Sequence, residues 1–151
     1  MTTTPSRFQC YPLPRLYPEG DVLVLNREQQ VLSRLSQGRI IEQQVFTFSE
    51  MALIAEVLES YPDYCPFEVL LSTYTHRPLD QCREQVNRAL DEGEIDGVIR
   101  PVRNLLSRCR AKLYPFGLNV AALLETGYQL VPLSAVRPYQ IRKAGKEEAQ
   151  R

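Results

Sequence analysis

Residues 99–113 read IRPVRNLLSRCRAKL, from Ile99 to Leu113, and the reading of the whole chain turns on them. Ile99, Val102, Leu106, Cys109 and Leu113 recur at i, i+3, i+7, i+10 and i+14, the spacing of one helix face. At about 100° per residue, Arg100, Asn104, Ser107, Arg108 and Ala111 fall on the opposite face, flanked by Arg103 and Arg110. The stretch carries five cations (Arg100, Arg103, Arg108, Arg110 and Lys112) and no acid, although the chain as a whole balances 18 basic against 18 acidic side chains. A solvated surface is the ordinary use of such a face, because helices routinely expose arginine and lysine. The uncharged Asn104 and Ser107 among the arginines suit a second use. Arginine bonds guanine or phosphate through two N–H groups, asparagine pairs with adenine, and a helix fits the major groove of DNA.

Downstream, Tyr114-Pro115-Phe116-Gly117 stops the helix. Leu118–Leu124 and Tyr128–Val131 then read as a hairpin over Glu125-Thr126-Gly127. Upstream, DEGEIDG (91–97) reads as a loop with two glycines, and its oxygens are out of register for a calcium-binding EF-hand. Pro78–Leu90 is a helix with Leu79, Cys82, Val86 and Leu90 facing inward. Before it, Cys65-Pro66 opens a helix with proline at its first position and a buried stripe of Phe67, Leu70, Leu71 and Tyr74. Thr47-Phe48-Ser49-Glu50 is a capping box that starts the first helix, with Met51, Ile54, Ala55 and Leu58 inward and Tyr61-Pro62-Asp63 at its end. Asp21 to Phe46 alternates as a meander of three or four antiparallel strands, with a turn at Gln37-Gly38. Residues 1–20, with Pro5, Pro12, Pro14 and Pro18, read as an irregular mobile arm. Residues 133–151 read as a flexible basic tail.

The chain has 151 residues, enough for one domain with its own core. No apolar run approaches the roughly 18 residues of a membrane helix, and the N-terminus lacks the apolar stretch of a signal peptide, so a cytoplasmic protein is expected. Cys10, Cys65, Cys82 and Cys109 are far apart and only one histidine is present, which argues for free thiols and against a metal site. His76 beside Arg77 and Pro78 reads as exposed. Ser72, Thr73 and Ser107 have no base nearby to activate them. No enzyme activity and no cofactor are expected.

The order of strands, helices, one helix with a basic outer face and a final hairpin resembles a winged helix. In detail the chain is similar to the C-terminal DNA-binding domain of OmpR/PhoB-type response regulators, without their receiver domain. That family's second half runs R-x-V-x-x-x-I-x-x-L-R-x-K-L and then a hairpin ending in G-Y-R-L. Arg100, Val102, Leu106, Cys109, Arg110, Lys112 and Leu113 stand at the first motif, and Gly127-Tyr128-Gln129-Leu130 at the second. FTFSEMALI (46–54) is similar to the family's L-T-x-x-E-x-x-L-L. The likeness spans about residues 21–132. It departs at Leu124 and Glu125, where the family has an arginine before the wing turn, and at Thr75–Gly97, which is longer and more acidic than the family's connection.

The resemblance implies an α+β winged helix-turn-helix: an N-terminal antiparallel meander, a helical core and a C-terminal hairpin wing. It implies a sequence-specific transcription regulator of double-stranded DNA. Arg100 and Arg110 would hold phosphates, Lys112 would lie on the same helix, and Arg103, Asn104, Ser107 and Arg108 would reach bases or neighbouring phosphates. It also implies tandem dimers on direct repeats of DNA and contact with RNA polymerase through the 75–97 connection. A protein-interaction adaptor is the alternative, since winged helices are reused that way and a fold does not fix a function.

Overall fold

The computed structural model describes residues 8–133, so the first seven residues and the basic tail from 134 onward lie outside the described residues. The element order is β1 (Phe8–Tyr11), β2 (Asp21–Asn26), β3 (Val31–Ser36), β4 (Arg39–Val45), α1 (Phe48–Ser60), β5 (Cys65–Pro66), α2 (Phe67–Thr75), α3 (Leu79–Glu92), α4 (Ile95–Leu113), a 3-10 turn (Tyr114–Phe116), β6 (Leu118–Leu123) and β7 (Gly127–Pro132). The class is α+β. A four-stranded antiparallel sheet, β1-β2-β3-β4, leads into four helices, and a C-terminal hairpin gathers β5 into a second sheet of order β5-β7-β6.

The strands form where the side chains alternate. Leu23, Leu25 and Leu32 point inward and are fully buried, while their neighbours Val22, Val24 and Val31 lie on the other face. Gln37 and Gly38 both take positive φ (50° and 81°), the backbone a two-residue hairpin turn requires. The capping box at α1 forms as the sequence indicates. The Thr47 hydroxyl accepts the Glu50 N–H (3.2 Å), and the Glu50 carboxylate accepts the Thr47 N–H (2.8 Å). Leu53, Ile54, Leu70, Val102, Leu106 and Leu113 are all buried in one core beneath the sheet and between the helices.

Several expectations are corrected. Residues 8–20 are part of the fold and not a mobile arm: β1 pairs with β2 (Cys10 opposite Val24), and Leu13 and Tyr17 are buried. The Tyr17 hydroxyl donates to the Phe116 carbonyl (2.8 Å), and that of Tyr11 donates to Glu59 (2.6 Å). Prolines exclude a helix or a central strand, but they leave apolar side chains free to dock. Cys65-Pro66 does not begin α2. It pairs with Tyr128 and Gly127 as β5, and Pro66 caps the helix. That pairing explains the glycine: a Cβ at residue 127 would lie 2.1 Å from the Cys65 carbonyl oxygen. Tyr74 and Leu79 are exposed, not inward. DEGEIDG is not a loop. Asp91 and Glu92 finish α3, Gly93 turns the chain at φ 71°, and α4 begins at Ile95. The 75–97 connection is therefore largely a helix of its own, packed on α2 and α4 through Cys82, Val86 and Ala89.

Candidate nucleic-acid interface

α4 carries all seven expected contact residues, and its apolar stripe decides which of them face water. Ile99, Val102, Leu105, Leu106, Cys109 and Leu113 are buried against the core. Arg100, Asn104, Ser107 and Arg108 consequently stand exposed on the outer face. Among the described residues none of these four has a side-chain hydrogen bond or an ion pair. Arg100 and Arg108 bracket Asn104 and are about 12 Å apart along the axis, at 1.5 Å per residue. The major groove is also about 12 Å wide.

The other three cations are already engaged. The Arg103 guanidinium donates to Asp96 at 2.6 Å, nearly two turns toward the start of the same helix. That hydrogen bond holds its proton more tightly than usual, and the Tyr128 hydroxyl adds to the effect. Arg110 Nε donates to the Val120 carbonyl (2.9 Å) and fastens β6 to α4. Lys112 Nζ donates to Glu50 Oε1 (2.6 Å) and to the Val45 carbonyl (3.2 Å), and it lies 5.3 Å from the centre of the Phe46 ring. Glu50 is 2% exposed. Burial raises its pKa, but the Lys112 and Thr47 hydrogen bonds outweigh this and hold it below the ordinary carboxylate range. Lys112 thus joins the end of α4 to the cap of α1.

The exposed face of α4 does not stand alone. Tyr74, at the end of α2, forms with Gly97, Arg100, Pro101, Asn104, Leu105 and Arg108 an open groove of about 370 Å³. Pro101 sits inside α4 and has no N–H to give the Gly97 carbonyl. An aromatic ring, two guanidiniums and an amide around one concavity suit a sugar–phosphate backbone or a base edge. The spacing of Tyr74 in α2 matches the buried stripe, and nothing local in the sequence marks it as lying beyond the reach of the core.

The hairpin follows α4 directly. Its tip is apolar and acidic: Leu124 is 90% exposed, and Glu125 turns the chain at φ 58°. The Thr126 carbonyl accepts the Phe67 N–H (3.2 Å), which ties the tip to the start of α2. No helix among the described residues is long and apolar enough to cross a membrane. The chain matches no protein-family model, no curated protein and no solved structure.

Proposed function

We propose that this chain is a winged-helix regulator of transcription that binds double-stranded DNA in a sequence-specific manner, with α4 in the major groove and β6–β7 as the wing. The observation that carries the reading is the cluster Arg100, Asn104, Ser107 and Arg108, exposed together beside Tyr74 and without partners among the described residues. Arg100 lies toward the start of the helix and holds phosphate. Asn104, Ser107 and Arg108 read base edges. Arg103 reaches DNA only by leaving Asp96, and Arg110 and Lys112 act by holding the helix in place. Within the 75–97 connection, α3 turns Asp80, Glu84, Asp91 and Glu92 to solvent, an acidic surface for RNA polymerase or another basic partner.

Selection from random duplex DNA, followed by binding in a salt series, tests this. One motif should be enriched, and log K should fall with log salt by about 0.9 per phosphate contact. Arg100→Ala should weaken specific and random duplex alike. Arg108→Ala and Asn104→Ala should each cost about 1–3 kcal/mol on the selected site and narrow its advantage over random DNA.

A second reading, a protein-interaction adaptor with little or no DNA binding, draws on a different observation. Arg103, Arg110 and Lys112 are all engaged within the fold, and the wing tip presents Leu124 and Glu125. No enrichment, and no binding to mixed duplex at low salt, would put the adaptor first.

A further inference from the structure

The N-terminal sheet has two apolar faces, and the helices cover only one. On the far face a groove of about 430 Å³ has a floor of small side chains, Cys10, Val24 and Ser33, and a rim that includes Phe8 and Ile40. None of its lining residues is charged. The register explains the composition. Ser33 stands opposite Gln43 and Val31 opposite Val45, and the bulge after Arg34 sets both Ile40 and Ile41 near Leu35. Phe8, Ile40, Ile41 and Val45 are 53, 59, 53 and 60% exposed.

These four side chains alone leave on the order of 400 Å² of apolar surface in water, the size of the largest patch on a typical monomer and one that is often functional. Adding Val22, Val24, Val31, Leu35 and the neutral Asn26 and Gln43 brings the face toward the roughly 800 Å² per partner of a standard interface. A face without charge best fits a partner surface without charge, since any charge set against it would lose water and gain no counter-ion. The face itself meets that condition. It also offers large rim side chains together with a small-residue floor, the knob and the hole that a two-fold contact of one patch with itself needs.

We propose that this face is a homodimer interface, in which two copies of the chain meet across their N-terminal sheets about a two-fold axis. The inference is independent of the DNA reading. Where both hold, the selected site is an inverted repeat in place of the direct repeat the resemblance implies, because two-fold protein symmetry is mirrored in the operator.

The test uses the full chain. Sedimentation velocity between about 1 µM and about 200 µM should show a monomer that becomes a dimer, the micromolar end of the range for interfaces of this size. Val24→Lys should weaken association by about tenfold or more, since it places an unpaired charge on the groove floor. Cys10 supplies a readout without substitution, because Cys65, Cys82 and Cys109 are buried and it alone is exposed. Its reaction with a maleimide should slow as protein concentration rises, and the adduct should stay monomeric. Should Val24→Lys fail to fold, the Cys10 measurements on the unsubstituted chain decide. A monomer throughout the range overturns the proposal. So does a dimer that persists in the folded Val24→Lys variant or in the Cys10 adduct.

Discussion

Single cations on α4 have divided roles that their spacing alone does not reveal. Arg108 meets solvent, whereas Lys112, four positions on, is drawn to a carboxylate 62 residues away. Glu50 serves two ends at once, closing the cap of α1 and anchoring the last turn of α4. Lys112→Met keeps most of the side chain's length and removes its charge, leaving a buried carboxylate with only the Thr47 N–H. The expected cost is about 2–3 kcal/mol, the value of a hydrogen bond to a charged group. It should appear as a lower denaturation midpoint with an unchanged slope. Arg108→Ala should leave the midpoint in place, because its guanidinium has no partner among the described residues. A Lys112→Met variant as stable as the parent would remove the lysine from the structural set and return it to the surface cations.

At the scale of elements, α4 and the hairpin form one unit. Arg110 bonds the Val120 carbonyl, Tyr128 packs edge-on against Phe67 at 5.9 Å, and β7 takes β5 as its outer strand. The hairpin is therefore held at a fixed angle to the helix, and only its tip is open to change. Under the DNA reading the Glu125 carboxylate meets the phosphates and repels them. Glu125→Arg should then tighten duplex binding and steepen the salt dependence by about one phosphate contact. Gel-shift titrations at two salt concentrations measure both. No change in either places the tip away from the duplex. α3 shows how an element alters its surroundings. Its inward Cys82, Val86 and Ala89 make a structured spacer of what reads as an acidic connection, and Gly93 lets α4 start four residues earlier than its basic face suggests.

For the molecule as a whole, buried charge sets an acid limit to stability. Asp21 accepts hydrogen bonds from Ser36 (2.7 Å) and Arg34 (2.7 Å), and these hold its carboxyl below the ordinary range, as the Lys112 and Thr47 bonds do for Glu50. Both groups bind protons less readily folded than unfolded. Their contribution is complete above the ordinary carboxylate pKa of about 4 and is lost as pH falls through the lower native values. Burial acts in the opposite sense on two thiols, raising Cys65 to about 11 and Cys109 to about 12. Unfolded thiols ionise from about 8.5, so stability declines in alkali as well. Melting temperatures should form a plateau between these limits, and Glu50→Gln should flatten the acid side. A melting temperature constant from neutral pH to about 3 would show that neither carboxylate is held in its ionised form. Arg34 also links the sheet to the rest of the molecule, stacking on Tyr17 (3.9 Å to the ring centre) and donating to the Phe116 carbonyl (3.2 Å). The sequence by itself determined what is local. The strand alternation, the Thr47–Glu50 cap, the turn at Gln37-Gly38 and the apolar stripe of α4 each depend on residues within a few positions of one another, where periodicity and backbone geometry act directly. The tertiary structure decided the rest: the docking of residues 8–20, the pairing of β5 with Gly127, the exposure of Tyr74, and which of five cations remained free. These depend on which distant carbonyl, carboxylate or ring comes within about 3 Å of a polar atom, and only the packed chain fixes that distance.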